Sequence, residues 1–111
     1  MGDRVQIQVV NGKEFSPVAY GHWCGVEAPA IINKLKDRMS SHPGDVPYTF
    51  ARLIQEMIWV DDGNISFGAW NIDHVLTADD SPGDAGCVII DIAKGWRVRC
   101  VGGYLKASNF K

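Results

Sequence analysis

With 111 residues, 46% of them apolar and 22% charged, the chain is long enough to bury one hydrophobic core and too short for two, so a single domain over 1–111 is expected. No apolar run approaches the ~20 residues that cross a bilayer, and the start MGDRVQIQ lacks the basic and apolar stretches of a secretory signal, which together imply a cytoplasmic protein with no membrane partner. The net charge of −2 is too small to call for a polyanionic partner, and Cys24, Cys87 and Cys100 have no C-x-x-C spacing, so neither a disulfide framework nor a zinc cage is expected and all three read as thiols.

In chain order, Arg4 to Val10 alternates polar and apolar residues and reads as a half-buried strand with Val5, Ile7 and Val9 inward. Asn11-Gly12 is turn chemistry, and the partner strand runs from Pro17 to Trp23. From Ala28 the residues Ile31, Ile32, Leu35 and Met39 recur at helical spacing behind Pro29, and Ser40 to Gly44 breaks that helix. Asp45 can cap a second helix whose stripe is Val46, Phe50, Leu53, Ile54, Met57 and Ile58. Asp61 to Asn64 reads as a turn, Ile65 to Ile72 (ISFGAWNI) as a strand, and Asp79 to Gly86 (DDSPGDAG) as an acidic loop.

The last two strands can be placed in register. CVIIDI, from Cys87, and WRVRCV, from Trp96, flank Ala93-Lys94-Gly95. A two-residue turn would set Ile90 against Arg99 and mix core with solvent positions. A three-residue loop with Gly95 in the left-handed region instead matches Val88, Ile90 and Ile92 with Cys100, Val98 and Trp96, and pairs Asp91 with Arg97 on the outer face. That register is expected, with Cys100 in the core. The order strand, strand, helix, helix, strand, strand, strand predicts an α+β two-layer sandwich: a mostly antiparallel sheet of about five strands with both helices on one face.

Charge is unevenly spread. Between Arg52 and Lys94 there is no Lys or Arg, whereas eight acidic residues fall there, from Glu56 to Asp91. Lys94, Arg97, Arg99, Lys106 and Lys111 form a modest basic patch, but the acidic middle disfavours nucleic acid as a partner.

The segment Tyr20-Gly21-His22-Trp23-Cys24-Gly25 concentrates reactive side chains. With a two-residue first turn Val18, Tyr20 and His22 share the core face; with one more loop residue Val9 meets Phe15, Ala19 and Trp23 turn inward, and Tyr20, His22 and Cys24 are displayed together. The second register buries an indole and is favoured. Position 27 is Glu, so WCG is not a thioredoxin-type pair. Cys24 with His22 as base is the nearest approach to a catalytic set, but residues two apart on a strand point in parallel, and neither His42 nor His74 is placed near by the sequence. No metal-ligand spacing links these histidines to the aspartates, the acidic loop lacks the EF-hand order, and no cofactor is called for. Trp23, Trp59, Trp70 and Trp96 either fill the core or line a small-ligand pocket. Trp70, opposite in parity to Ile65 and Phe67, is expected on the outer sheet face, where a protein partner or second subunit would dock.

The element Tyr-x-His-Trp-x-Gly at Tyr20 to Gly25, the helix pattern FARLIQEMI at Phe50 to Ile58 and the strand ISFGAWNI resemble a loose group of small uncharacterised α+β proteins carried by phages, prophages and integron gene cassettes. In that group the residue between Trp and Gly is often acidic, where this chain has Cys24, so the resemblance does not call for a thiol there. It implies an α+β fold and a mobile-element origin. The sequence therefore points to a non-enzymatic interaction protein, expected as a homo-oligomer, with Tyr20, His22, Trp23 and Trp70 as binding residues. A small-molecule binding protein, or a Cys/His-dependent hydrolase or transferase built on Cys24 and His22, are the rival readings.

Overall fold

The computed structural model describes residues 2–42, 44–60 and 66–110; the turn expected at 61–64, Ile65, Pro43 and Lys111 lie outside them. A six-stranded sheet has the order β4-β3-β1-β5-β6, with the short β2 also paired to β1. The α+β two-layer expectation holds: β1 Val5–Asn11, β2 Glu14–Phe15, β3 Val18–Gly21, α1 Ala28–Arg38, α2 Val46–Val60, β4 Phe67–Trp70, β5 Gly86–Asp91 and β6 Arg97–Val101. All the strand pairings but one are antiparallel; β1 and β5 run parallel, Val5 beside Gly86 through Val10 beside Asp91.

That central parallel pair corrects the reading of β1 as half-buried. Val5 to Val10 are all buried, Gln6 and Gln8 included, because β1 has neighbours on both sides and cover on both faces. Val5, Ile7 and Val9 pack with Val88 and Ile90 beneath Ala28, Ile31, Ile32, Leu35, Leu53 and Met57 of the two helices. Each buried Val, Ile, Leu or Met side chain here contributes about 1.5–3 kcal/mol when removed from water.

The first hairpin follows neither register considered above. Its turn is Gly12-Lys13, with Asn11 opposite Glu14 and Gly12 at φ 63°. After Phe15 the pairing slips by one residue, from Val10 with Phe15 to Ile7 with Ala19, so Ser16 is a bulge. Its amide donates to Val9 O at 2.8 Å and its Oγ accepts from Val9 N at 2.9 Å, which satisfies the backbone where the ladder breaks. The slip restores the parity favoured from sequence: Ala19 faces the helices and Tyr20 the outer side.

Both helices form where the periodicity placed them. Asp45 caps α2 by accepting from Tyr48 N at 2.8 Å. Ile58, expected in the inward stripe, is 47% exposed, and Thr49 and Glu56 are buried instead. Glu56 is tolerated because the Arg38 guanidinium, which also lies 4.6 Å over the Trp59 ring, stands in ion-pair contact with its carboxylate, off the line of a hydrogen bond.

The last hairpin has the expected register: Val88 faces Cys100, Ile90 faces Val98 and Asp91 faces Arg97, with Gly95 at φ 70°. Ile92, expected as the last residue of the strand, opens a 3₁₀ turn instead. Cys100 is half-buried against the helix-side core.

Among the described residues the outer face of the sheet carries no α-helix. Val10, Val18, Cys87 and Ile89 are covered there by Ile72, Val75 and Leu76. Gln8 holds this strap in place: its Nε2 donates to Ser16 O (3.0 Å) and His74 O (3.2 Å), and its Oε1 accepts from Leu76 N at 2.8 Å. A buried amide with three backbone partners costs little to bury and replaces the ladder that the strap lacks.

Candidate functional site

β3 ends at Gly21 and the chain turns through 22–27, which ends the strand parity used to place Trp23 and Cys24. Both expectations are reversed. Trp23 is 50% exposed and Cys24 only 2% exposed. The turn is fixed by Asp3, whose backbone carbonyl accepts from Gly25 N at 2.9 Å and whose carboxylate accepts from Val26 N at 2.7 Å. Gly21 has no side chain because the Cys24 Sγ occupies that place, with Met57 and Phe67 beside it. The thiol is thereby enclosed in the helix-side core.

His22 belongs to the other side. Its Nδ1 lies 2.9 Å from the Tyr20 hydroxyl, and its ring meets Trp23 edge-on with centroids 4.7 Å apart. Pairing of β3 with β4 sets Tyr20 beside Gly68 and Val18 beside Trp70, and the Tyr20 and Trp70 rings lie 5.5 Å apart. The four residues singled out from the sequence as binding residues therefore form one contact series, Trp23, His22, Tyr20, Trp70, on the outer face. Phe67, of opposite parity, packs toward the helices as expected. The Trp70 indole lies back over Gly68, 3.7 Å from where a Cβ would be. A shallow depression of ≈ 240 Å³ runs between Tyr20, His22, Ser66, Phe67 and Gly68. Aromatic centroids at 4.5–7 Å are favourable pairs, so the strip is preorganised although Trp23 and Trp70, 42% exposed, remain open to solvent.

The remaining histidines are engaged elsewhere. His74 Nδ1 meets Asp73 at 2.7 Å and its Nε2 meets both oxygens of Asp80 at 3.1 Å. The two carboxylates raise the His74 pKa above its ordinary value and are themselves held below the usual carboxylate range, Asp73 chiefly by His74 and Asp80 first by the Thr77 amide and then by His74. His42 stacks on Tyr48 with centroids 4.5 Å apart. In the acidic loop Asp84 accepts from Arg4 Nε at 2.9 Å and from Arg4 N at 3.1 Å, while Asp80 accepts from Thr77 N at 2.7 Å. Among the described residues no group of three or more His, Cys, Asp or Glu side chains is placed to hold a metal ion. Burial pushes the Cys87 and Cys100 thiols up to about 11, far from the thiolate form a nucleophile requires.

The indoles do not line a common pocket. Trp59 lies on α2 under Arg38, and Trp96 forms one wall of a mostly apolar cleft of ≈ 200 Å³ with Met39, Ile92 and Thr49, rimmed by Lys36 and His42. A more polar cleft lined by Arg38, Ser41, His42, Tyr48, Arg52 and Gln55 adjoins it at His42. Sequence reasoning missed this site; the break at Ser40 to Gly44 was legible only as a helix end. In the proposed basic patch Arg97 and Arg99 are exposed on β6, but Lys111 and the side chain of Lys94 lie outside the described residues.

No protein-family model, curated protein or solved structure matches the chain. No helix among the described residues is long and apolar enough to cross a membrane.

Proposed function

We propose that this chain is a non-enzymatic interaction protein, a homodimer or the accessory subunit of a protein partner, that docks through the strip of Trp23, His22, Tyr20 and Trp70. The observation that carries this reading is the gathering of these four side chains into one preorganised aromatic series on a part of the sheet that, among the described residues, neither helix nor strap covers. Aromatic residues that are rigid and half-exposed supply most of the energy of protein interfaces. A place in a mobile genetic element rests on the resemblance at Tyr20 to Gly25, Phe50 to Ile58 and the ISFGAWNI strand, and a cytoplasmic location on the sequence lacking a membrane-spanning run and a secretory signal. The hydrolase or transferase reading loses its support, because the Cys24 thiol is enclosed on the helix side whereas His22 is engaged with Tyr20 on the other. Sedimentation equilibrium tests the reading: the average mass rises above the 12.2 kDa monomer with concentration, and Trp70→Ser lowers that association about tenfold or more. Association equally strong in Trp70→Ser and Trp23→Ser counts against the strip.

A second reading is favoured by the cleft at Trp96. Its ≈ 200 Å³ is on the order of the 150 Å³ that accommodates a benzene ring. Arg52, whose partners are the neutral Tyr48 hydroxyl and Gln55 amide, stands in the adjoining polar cleft. A small aryl carboxylate matches both. Phenylpropionate would shift the Trp96 indole N–H resonance, and Arg52→Ala would weaken it about tenfold; no shift at millimolar concentration excludes the cleft.

A further inference from the structure

The two edges of the sheet are built differently. β6 carries Arg97 and Arg99 on its exposed positions and has the tail turn Ala107–Asn109 against it, as edge strands are commonly protected from pairing. A copy of β6 laid against it would bring arginines together. Among the described residues β4 has no such guard. From Ser66 to Ile72 the sequence SFGAWNI holds no charge and no proline.

The backbone direction of β4 follows from one hydrogen bond. His22 N donates to Ser66 O at 3.1 Å, and bonded and non-bonded pairs alternate along an antiparallel ladder. Tyr20 with Gly68 and Val18 with Trp70 are therefore the bonded pairs, and the N–H and C=O groups of Phe67 and Ala69 point away from β3 to the open edge. An antiparallel neighbour keeps side chains on matching faces only if the register preserves parity. The register that does so and uses the outward groups of Ala69 is symmetric: Ala69 opposite Ala69, Gly68 opposite Trp70, Phe67 opposite Asn71.

We propose that β4 pairs antiparallel with β4 of a second copy of this chain about a two-fold axis at Ala69, joining the two sheets edge to edge. This rests on the reading of the aromatic strip as an interaction surface and names its partner. An uncharged strand meets its own copy without like-charge repulsion, and the two-fold register makes the contact isologous and closed. The two Trp70 side chains become diagonal neighbours with Cα atoms roughly 7–8 Å apart, within reach of aromatic rings, so each indole, 42% exposed in the monomer, is covered by its equivalent beside Tyr20. The contact is small, well below the ~1,600 Å² of a standard interface, so the association is weak.

The test uses the full chain at concentrations up to about 1 mM. Ala69→Pro removes the outward amide at a position where an edge strand accepts proline, and dimerisation is expected to weaken at least tenfold. Ala69→Cys, which leaves the amide in place, is expected to form a disulfide-linked dimer on mild oxidation, since facing Cα atoms in a bonded pair lie about 5.5 Å apart. Asn71→Cys, whose symmetric positions fall roughly 14 Å apart, is not. A wild-type dimer that persists in Ala69→Pro, with no preference of Ala69→Cys over Asn71→Cys, overturns the edge pairing and leaves the aromatic strip as the interface. A wild-type chain that stays monomeric and variants that do not crosslink overturn both.

Discussion

The two faces of the sheet are closed by different means. The helix side is sealed by aliphatic packing from α1 and α2, with Ile7, Ile31, Ile32, Leu35, Leu53 and Ile90 withdrawn from water. The outer side is closed over β1, β5 and Val18 of β3 by a strap without regular strand structure, from Ile72 to Leu76, tied to β1 through Gln8, and left open beside Trp70 of β4. Stability is thus concentrated on one face and contact chemistry on the other, and the aromatic strip lies where no element among the described residues competes for it.

Substitutions on each face separate the two kinds of closure. Leu35→Ala on the helix side removes fully buried methyl groups and is expected to cost about 2–5 kcal/mol in urea unfolding. Gln8→Ala leaves Ser16 O, His74 O and Leu76 N without their partner, and a loss of about 2–3 kcal/mol is expected, with faster hydrogen exchange at the Leu76 amide and no change in the helices. A helix-wide effect would mean the two faces are not independent. Asp45→Ala removes the cap on Tyr48 N and should cost about 1 kcal/mol.

The pH response of the strap is smaller still. The raised His74 pKa means that its contribution is fully present below the unfolded value, about 6.5, and is lost as the pH rises through the higher folded value. The lowered Asp73 and Asp80 values give a contribution present above about pH 4 and lost as the pH falls through their folded values. The clamp is therefore fully formed between roughly pH 4 and 6.5, and a thermal melting profile of His74→Gln should differ from wild type mainly in that window. Equal destabilisation at pH 5 and pH 9 would show that His74 acts by packing and not by charge. Trp70→Ser, at the open end of the same face, is expected to leave the melting temperature unchanged while reducing association.

Much of the fold was legible in local pattern. Apolar spacing placed both helices, Asp45 marked the start of the second, and the three-residue loop at Ala93-Lys94-Gly95 fixed the β5–β6 register because only one choice kept arginine off the core face. The parallel pairing of β1 with β5 was not legible. It joins residues about eighty positions apart, and nothing in an alternating strand says how many neighbours it will have. Gln8 read as a solvent-facing residue because alternation cannot foresee a strap arriving from His74 and Leu76. At the site, parity alone put Tyr20 and Trp70 on the outer face, but their contact depends on the β3–β4 register, and Trp23 and Cys24 exchanged places because the strand ends two residues earlier than its apolar pattern implies.

The most direct measurement is amide hydrogen exchange at β4 in dilute and in concentrated solution. The outward amides of Phe67 and Ala69 are expected to exchange rapidly at a few micromolar and to become protected near 1 mM, while those of Gly68 and Trp70, directed at β3, are protected at both. Protection of Phe67 and Ala69 that is independent of concentration would contradict the edge pairing.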